Sequence, residues 1–221
     1  PFEERQKYFA KLSEILRTRK QEFGEIITQE MKKPISQSIA EIEKCATLCD
    51  YYANAENVLI PEKVKTEFQI SEVHHEPLGA ILGVMPWNFP FFLIARKMGP
   101  ALLAGNTIVI KPSSLTPINC HIFAEIVHES GLPAGVFNVV NGDKAAVDAL
   151  LAHPDVKAVS FVGSTPIAEY IYGRGCSNGK RVQCFGGAKN HMIIMPDADL
   201  DKAADALIGA GYGAAGERCM A

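Results

Sequence analysis

The chain has 221 residues, a formal net charge of −3 and 48% hydrophobic side chains, with acidic and basic residues dispersed along its length. That length suits one large α/β unit, or one unit with part of another, and the charge balance gives no reason to expect nucleic acid or an anionic membrane as partner. No run is apolar and long enough to span a bilayer, and the six scattered cysteines contain no C-x-x-C pair, which argues against structural zinc, any other metal site, or a disulfide framework. Free thiols in a soluble, cytoplasmic protein are the expectation. The chain begins at Pro1 rather than Met, so it reads as processed or truncated.

The first sixty or so residues read as helices by their 3.6-residue hydrophobic period. Phe9, Leu12, Ile15 and Leu16 form one stripe, Phe23, Ile26, Ile27 and Met31 a second, and Ile35, Ile39, Ile42, Ala46, Cys49 and Ala53 a third, with Lys32-Lys33-Pro34 as the break before the third. Cys45 and Cys49 then read as small buried hydrophobes. From Thr66 to His75 the pattern shifts toward alternation at Phe68, Ile70 and Val73, which predicts an extended excursion suited to association.

From Gly79 short apolar runs alternate with helical stripes: 80–85, 91–104, 107–110, 117–130, 136–140, 145–152, 158–162 and 166–172. That order predicts right-handed βαβ units and an α/β fold with a doubly wound parallel sheet, preceded by a helical N-terminal segment. In such a sheet ligands sit beyond the carboxyl ends of the strands, so the turns there carry the functional signal. No G-x-G-x-x-G occurs. The turn after the first run is Met85-Pro86-Trp87-Asn88-Phe89-Pro90, in which two prolines fix the backbone around the only Trp and an amide side chain. Alone, it equally suits a core Trp and a helix-capping Asn. Lys111-Pro112-Ser113-Ser114 offers a cation and two hydroxyls to ribose or phosphate oxygens, and Gly163-Ser164-Thr165-Pro166 allows close backbone approach before a helix start able to face a diphosphate. Phe185-Gly186-Gly187-Ala188-Lys189-Asn190 precedes an apolar run, His191 to Met195, expected as a strand, and a helix opened by Asp197-Ala198-Asp199. Finally Gly213-Ala214-Ala215-Gly216-Glu217-Arg218-Cys219 sets a thiol among small residues beside a cation, a setting that favours a nucleophilic cysteine.

Together these motifs resemble the aldehyde dehydrogenase superfamily over essentially the whole chain, with Gly105-Asn106-Thr107, Gly131-Leu132-Pro133 and Val136-Phe137-Asn138 as further carriers. The resemblance implies a dinucleotide-binding domain over 1–66 and 78–187, an oligomerisation arm over 67–77, and only the start of a second, catalytic domain over 188–221. It implies an NAD(P)-dependent oxidation of an aldehyde. Cys219 would be the nucleophile, and the Asn88 amide with the Cys219 N–H would stabilise the oxyanion. Lys111 would hold the adenosine ribose, Gly163 and Ser164 would approach the diphosphate, and Trp87 would line the cofactor cleft. Ser114 stands where NAD-preferring relatives carry a Glu, so NADP is expected to be tolerated beside NAD.

Hydrolytic members place a general-base Glu where this chain has Cys184. The last third resembles methylmalonate-semialdehyde dehydrogenases, which lack that Glu and pass the acyl group to coenzyme A. The first half resembles succinate-semialdehyde and lactaldehyde dehydrogenases. A short semialdehyde or hydroxyaldehyde substrate, a possible coenzyme A co-substrate, a homo-oligomer and the remainder of the catalytic domain as partner are the corresponding expectations. The alternative of another class is a nucleotide-binding half with no turnover of its own.

Overall fold

The computed structural model describes residues 1–57 and 59–220. It opens with a layer of three helices, α1 (Phe2–Thr18), α2 (Lys20–Met31) and α3 (Ile35–Ala53), which bury most of the expected stripes; on α3 Ile42, Ala46 and Cys49 are buried but Ile35, at the first turn, is exposed. Lys32 ends α2 with a left-handed φ of 66°, and Pro34, which cannot continue that helix, caps α3. Strands β1 (Glu62–Lys63) and β2 (Glu72–Val73) form a small antiparallel hairpin. Phe68, Ile70 and Val73 are exposed on it.

The rest alternates as the pattern predicts: β3 (Ala80–Val84), α4 (Pro90–Leu103), β4 (Thr107–Lys111), α5 (Pro117–Glu129), β5 (Phe137–Val139), α6 (Lys144–Ala152), β6 (Val156–Val162), α7 (Thr165–Ser177), β7 (Arg181–Phe185) and α8 (Leu200–Tyr212). The five strands β5-β4-β3-β6-β7 make one parallel sheet with β3 at its centre. Alternation along the strands sends Leu82 and Val84 to a core under α6 and α7, and Ile108 and Ile110 to a larger core shared with α1 to α5. Phe23, Phe91, Phe123 and Phe137 run as a ladder through the larger core, at centroid spacings of 5.9, 5.5 and 5.9 Å, each pair worth roughly 0.5–1.5 kcal/mol beyond area burial.

Two expectations need correction. His191 to Met195 forms no strand and its side chains are largely exposed, because no strand of the described chain lies beside it to complete a ladder. Conversely, Arg181–Phe185 is a strand at the sheet edge that was not expected, its short apolar set being interrupted by Arg181 and Gln183. Thr165 leads α7, with Pro166 as its second residue.

A charged pair lies inside the helical layer. Lys33 and Glu41 contact one another with both side chains fully buried, Oε1 of Glu41 accepts from the backbone N–H groups of Phe91 and Phe92 at 2.9 Å each, and the Lys33 ammonium lies 4.6 Å from the Phe89 ring centroid. Burial pushes the Glu41 carboxyl up from the ordinary range, while the Lys33 ammonium and the two N–H donors pull it back. Removing one partner strands the other charge. Lys33→Met is therefore expected to destabilise the chain by about 3–5 kcal/mol in denaturant unfolding, and adding Glu41→Gln should recover most of the loss; equal stability of the single variant and the parent would contradict this role.

Candidate active site

The register of the sheet aligns the functional turns. Val84 of β3 pairs with Lys111 of β4 on one side and with Phe161 of β6 on the other, so the segments leaving these strands stand in a row at one edge. The chain order reverses between β3 and β6, which is where an open α/β sheet forms its ligand crevice. Trp87 is half-buried against the large core, Asn88 is buried, and Phe89 rather than Asn88 caps α4. Lys111 is buried, and burial lowers its pKa against the opposing pull of Asp143. In the turn that follows, Ser113 Oγ accepts from Leu115 N at 3.2 Å and Ser114 is exposed. Gly163 donates to Phe185 O at 3.1 Å, and a Cβ there would lie 2.5 Å from the Phe161 ring.

The helix N-termini at this edge differ in a telling way. Glu41 accepts the first free N–H groups of α4, Glu30 accepts those of Ile118 and Asn119 on α5 at 2.8 and 2.9 Å, and Asp143 accepts from Ala145 N at the start of α6 at 2.9 Å. At α7 the cap residue Ser164 makes no side-chain bond and is exposed. Among the described residues, α7 is thus the one of these four helices whose N-terminal end no carboxylate occupies. Its positive end, with Gly163 clearing the approach, fits the diphosphate of a dinucleotide, and Lys111 two strands away fits the ribose.

Cys219, the residue expected as nucleophile, lies on a loop after α8. Asp199 caps that helix by accepting from Lys202 N at 3.2 Å, and a 3₁₀ turn, Gly213–Gly216, follows with Ala214 and Ala215 at φ values of 51° and 57°. Such left-handed conformations cost a non-glycine residue of order 1–2 kcal/mol, so the loop needs external ties. It has four. Ala214 N donates to Gln37 Oε1 at 3.0 Å, Asn88 Nδ2 donates to Glu217 O, Asn190 Nδ2 donates to Cys219 O at 3.0 Å, and Arg218 Nη1 donates to Gly209 O at 2.6 Å. Asn88 and the Cys219 loop, 129 residues apart at the bonded pair, are therefore in direct contact. Arg218, expected beside the thiol as a cation, is anchored on the Gly209 carbonyl.

Cys219 is exposed and lines a cavity of about 310 Å³ together with Gln37, Lys44, Phe89, Phe92 and Arg218. The α3 residues in this wall escaped sequence reading because the hydrophobic stripe drew attention to the opposite face. A signal existed: Gln37, Glu41 and Lys44 are themselves spaced by four and three, a polar stripe on one helix face. Cys184 on β7 is half-buried, its thiol pushed up by burial and by Cys176, with the Lys97 ammonium opposing. Lys97, also unforeseen, donates to Gln183 Oε1 at 3.4 Å and lies 5.3 Å from the Phe185 ring centroid.

Accessibility separates the thiols. Cys45, Cys49 and Cys120 are buried, and burial pushes Cys49 and Cys120 up to about 12. Limited iodoacetamide at neutral pH, read by peptide mapping, should label exposed Cys219 and Cys176 first, Cys184 later, and the three buried thiols only on unfolding. Labelling of Cys120 as fast as Cys219 would contradict this arrangement.

Comparison with known proteins agrees with the geometry. The family model described as "Aldehyde dehydrogenase family" matches residues 1–221. Malonate-semialdehyde dehydrogenase of Pseudomonas aeruginosa is 44% identical over 218 residues, covering 96% of this chain and 43% of that enzyme. A Sinorhizobium meliloti 1021 structure designated methylmalonate-semialdehyde dehydrogenase, complexed with NAD, superposes with a TM-score of 0.93 at 47% identity, covering 100% of this chain and 45% of that one. Succinic semialdehyde dehydrogenase of Streptococcus pyogenes, in complex with NADP+, gives a TM-score of 0.94 at 30% identity, with 99% and 48% covered. The chain spans less than half the length of these relatives. On its fold, its motifs and these matches, the chain belongs to the aldehyde dehydrogenase family.

Proposed function

We propose that this chain supplies the cofactor-binding and nucleophile-bearing part of an enzyme that oxidises a short semialdehyde with NAD or NADP. In this reading residues 1–66 and 78–187 form the cofactor domain, 67–77 serve homo-oligomer association through the exposed hairpin, and 188–221 begin the catalytic domain, whose remainder is the partner. The observation that carries the proposal is the cavity in which Cys219 shares its wall with the cations Lys44 and Arg218. A thiol alone would serve any aldehyde. Two cations in a mainly apolar wall, whose one carboxylate, Glu41, is already paired with buried Lys33, suit a substrate that carries a carboxylate at its far end, as malonate and methylmalonate semialdehydes do.

The residues divide the work. Cys219, as thiolate, attacks the aldehyde carbon and forms a C–S bond; the charge that develops on oxygen is met by the Asn88 amide and the Cys219 backbone N–H, the substrate oxygen taking the place of the Glu217 carbonyl on that amide. Lys44, whose ammonium lies 4.4 Å from the Phe92 ring centroid, holds the far carboxylate. Lys111, Gly163, Ser164 and the open end of α7 hold the dinucleotide, Trp87 lines the cleft, and Ser114 adds no negative charge at the ribose, which admits NADP beside NAD. A bound nicotinamide supplies the hydride acceptor. The acyl group is left as a thioester on Cys219.

A specific observation favours coenzyme A over water as the group that releases it. Cys184, where hydrolytic relatives carry their Glu, is a thiol held protonated by burial and a poor base for activating water. Coenzyme A brings a thiol of its own, far easier to ionise than water. In the complete enzyme, nicotinamide absorbance with malonate semialdehyde should rise faster when coenzyme A is present, with acyl-coenzyme A detected by mass. Lys44→Met should raise KM for the semialdehyde about tenfold, the loss of roughly 1.4 kcal/mol, and leave KM for propanal unchanged. Free acid formed at one rate with or without coenzyme A would contradict the release step, and equal KM shifts for both aldehydes would contradict the substrate class.

A further inference from the structure

Three residues on one face of α3, Gln37, Glu41 and Lys44, line the cavity. Lys44 is accounted for by substrate charge, but the other two touch protein backbone on opposite sides of the reaction centre. Glu41 accepts from Phe91 N and Phe92 N at 2.9 Å, three and four residues after Asn88. Gln37 accepts from Ala214 N at 3.0 Å, five residues before Cys219. Gln37 and Glu41 are one helical turn apart on the same face, so their separation is fixed by a rigid element.

We infer that α3 is the positioning element of the active site: Glu41 sets the segment that carries the Asn88 amide, Gln37 sets the loop that carries Cys219, and the helix between them fixes the distance between the two oxyanion donors. Both ends of this arrangement need a tie. Phe89, which caps α4, makes no side-chain bond to its first N–H groups, so the carboxylate from α3 is what orients that turn. Lys33 balances the carboxylate and packs on Phe89, the residue next to Asn88. At the other end Ala214 is 2% exposed with a left-handed backbone, and its N–H would lose its partner without Gln37. Both residues act through their neighbours, so they are positioning residues rather than catalytic ones.

The inference rests on the functional reading above, and the test separates the two. It uses the complete enzyme, with NAD and malonate semialdehyde as probes and Cys219→Ala as the inactive reference; a parent no faster than Cys219→Ala would remove the functional reading. In an active parent, Gln37→Leu is expected to lower kcat about tenfold, part of the roughly hundredfold or greater effect of losing an oxyanion donor, with NAD affinity unchanged. Gln37→Glu, which still offers an oxygen to Ala214 N–H, should keep kcat within about twofold of the parent. The uncharged pair Lys33→Met with Glu41→Leu, which leaves the Phe91 and Phe92 N–H groups without their acceptor, should lower kcat in the parent but have little further effect in an Asn88→Ala background, because its action runs through that amide. Parental kcat in Gln37→Leu, a Gln37→Glu variant as slow as Gln37→Leu, or a pair effect that multiplies fully with Asn88→Ala would each overturn the inference. A pair variant that does not fold would overturn the Glu41 half by assigning that residue to the fold alone.

Discussion

A buried carboxylate holding the start of a helix is the constraint on which the geometry of this chain turns. Glu41 lies in the helical layer, while the N–H groups it accepts belong to α4, which covers the sheet. Burying a charge costs several kcal/mol even after relaxation, and the cost is met only where geometry supplies full compensation. Here the compensation is two N–H donors at the positive end of a helix and an ammonium in contact. The same bonds dictate how the turn from β3 into α4 runs, between Pro86 and Pro90, and so where Asn88 emerges. They also seat Phe91 in the aromatic ladder that joins α2, α4, α5 and the edge strand β5. Packing, charge and catalytic geometry therefore share one anchor.

A related division governs the cofactor side. Every helix that follows a strand points its positive end toward the same edge of a parallel sheet, which would offer several competing anion sites. Carboxylates from Glu41, Glu30 and Asp143 occupy three of them. At α7 the glycine-led turn brings no such group. That leaves the end of α7, in the crevice beside β6 and next to the central strand, as the open position among these four, in a chain without the glycine fingerprint by which dinucleotide sites are usually recognised.

The layered fold was legible because its periods are clean: helical stripes bury Leu12, Leu16, Ile27 and Ile42, and β3 and β4 are near-continuous apolar runs flanked by Gly and Pro. Strand β7 was not, since Arg181-Val182-Gln183-Cys184-Phe185 has too few apolar positions to signal a partner on each face; pairing with β6 decides its structure. His191 to Met195 fails in the opposite sense, with apolar side chains but no neighbour to bond. Cys219 and Asn88 stood out through the unusual residues around them. Glu41 and Gln37 did not: their polar stripe marks a helix face, but the bonds they make depend on which backbone atoms tertiary packing brings to about 3 Å of their side chains.

In the proposed reading the Cys219 thiol attacks, the Asn88 amide meets the oxygen that becomes charged, and the crevice beside α7 takes the dinucleotide. The direct test is to quench the complete enzyme during turnover of malonate semialdehyde and NAD, without an acyl acceptor, and map the acyl adduct by peptide mass. The account predicts one acyl group, on Cys219, absent when NAD is omitted. Nicotinamide reduction with no adduct on Cys219, or with the adduct on another residue, would contradict it.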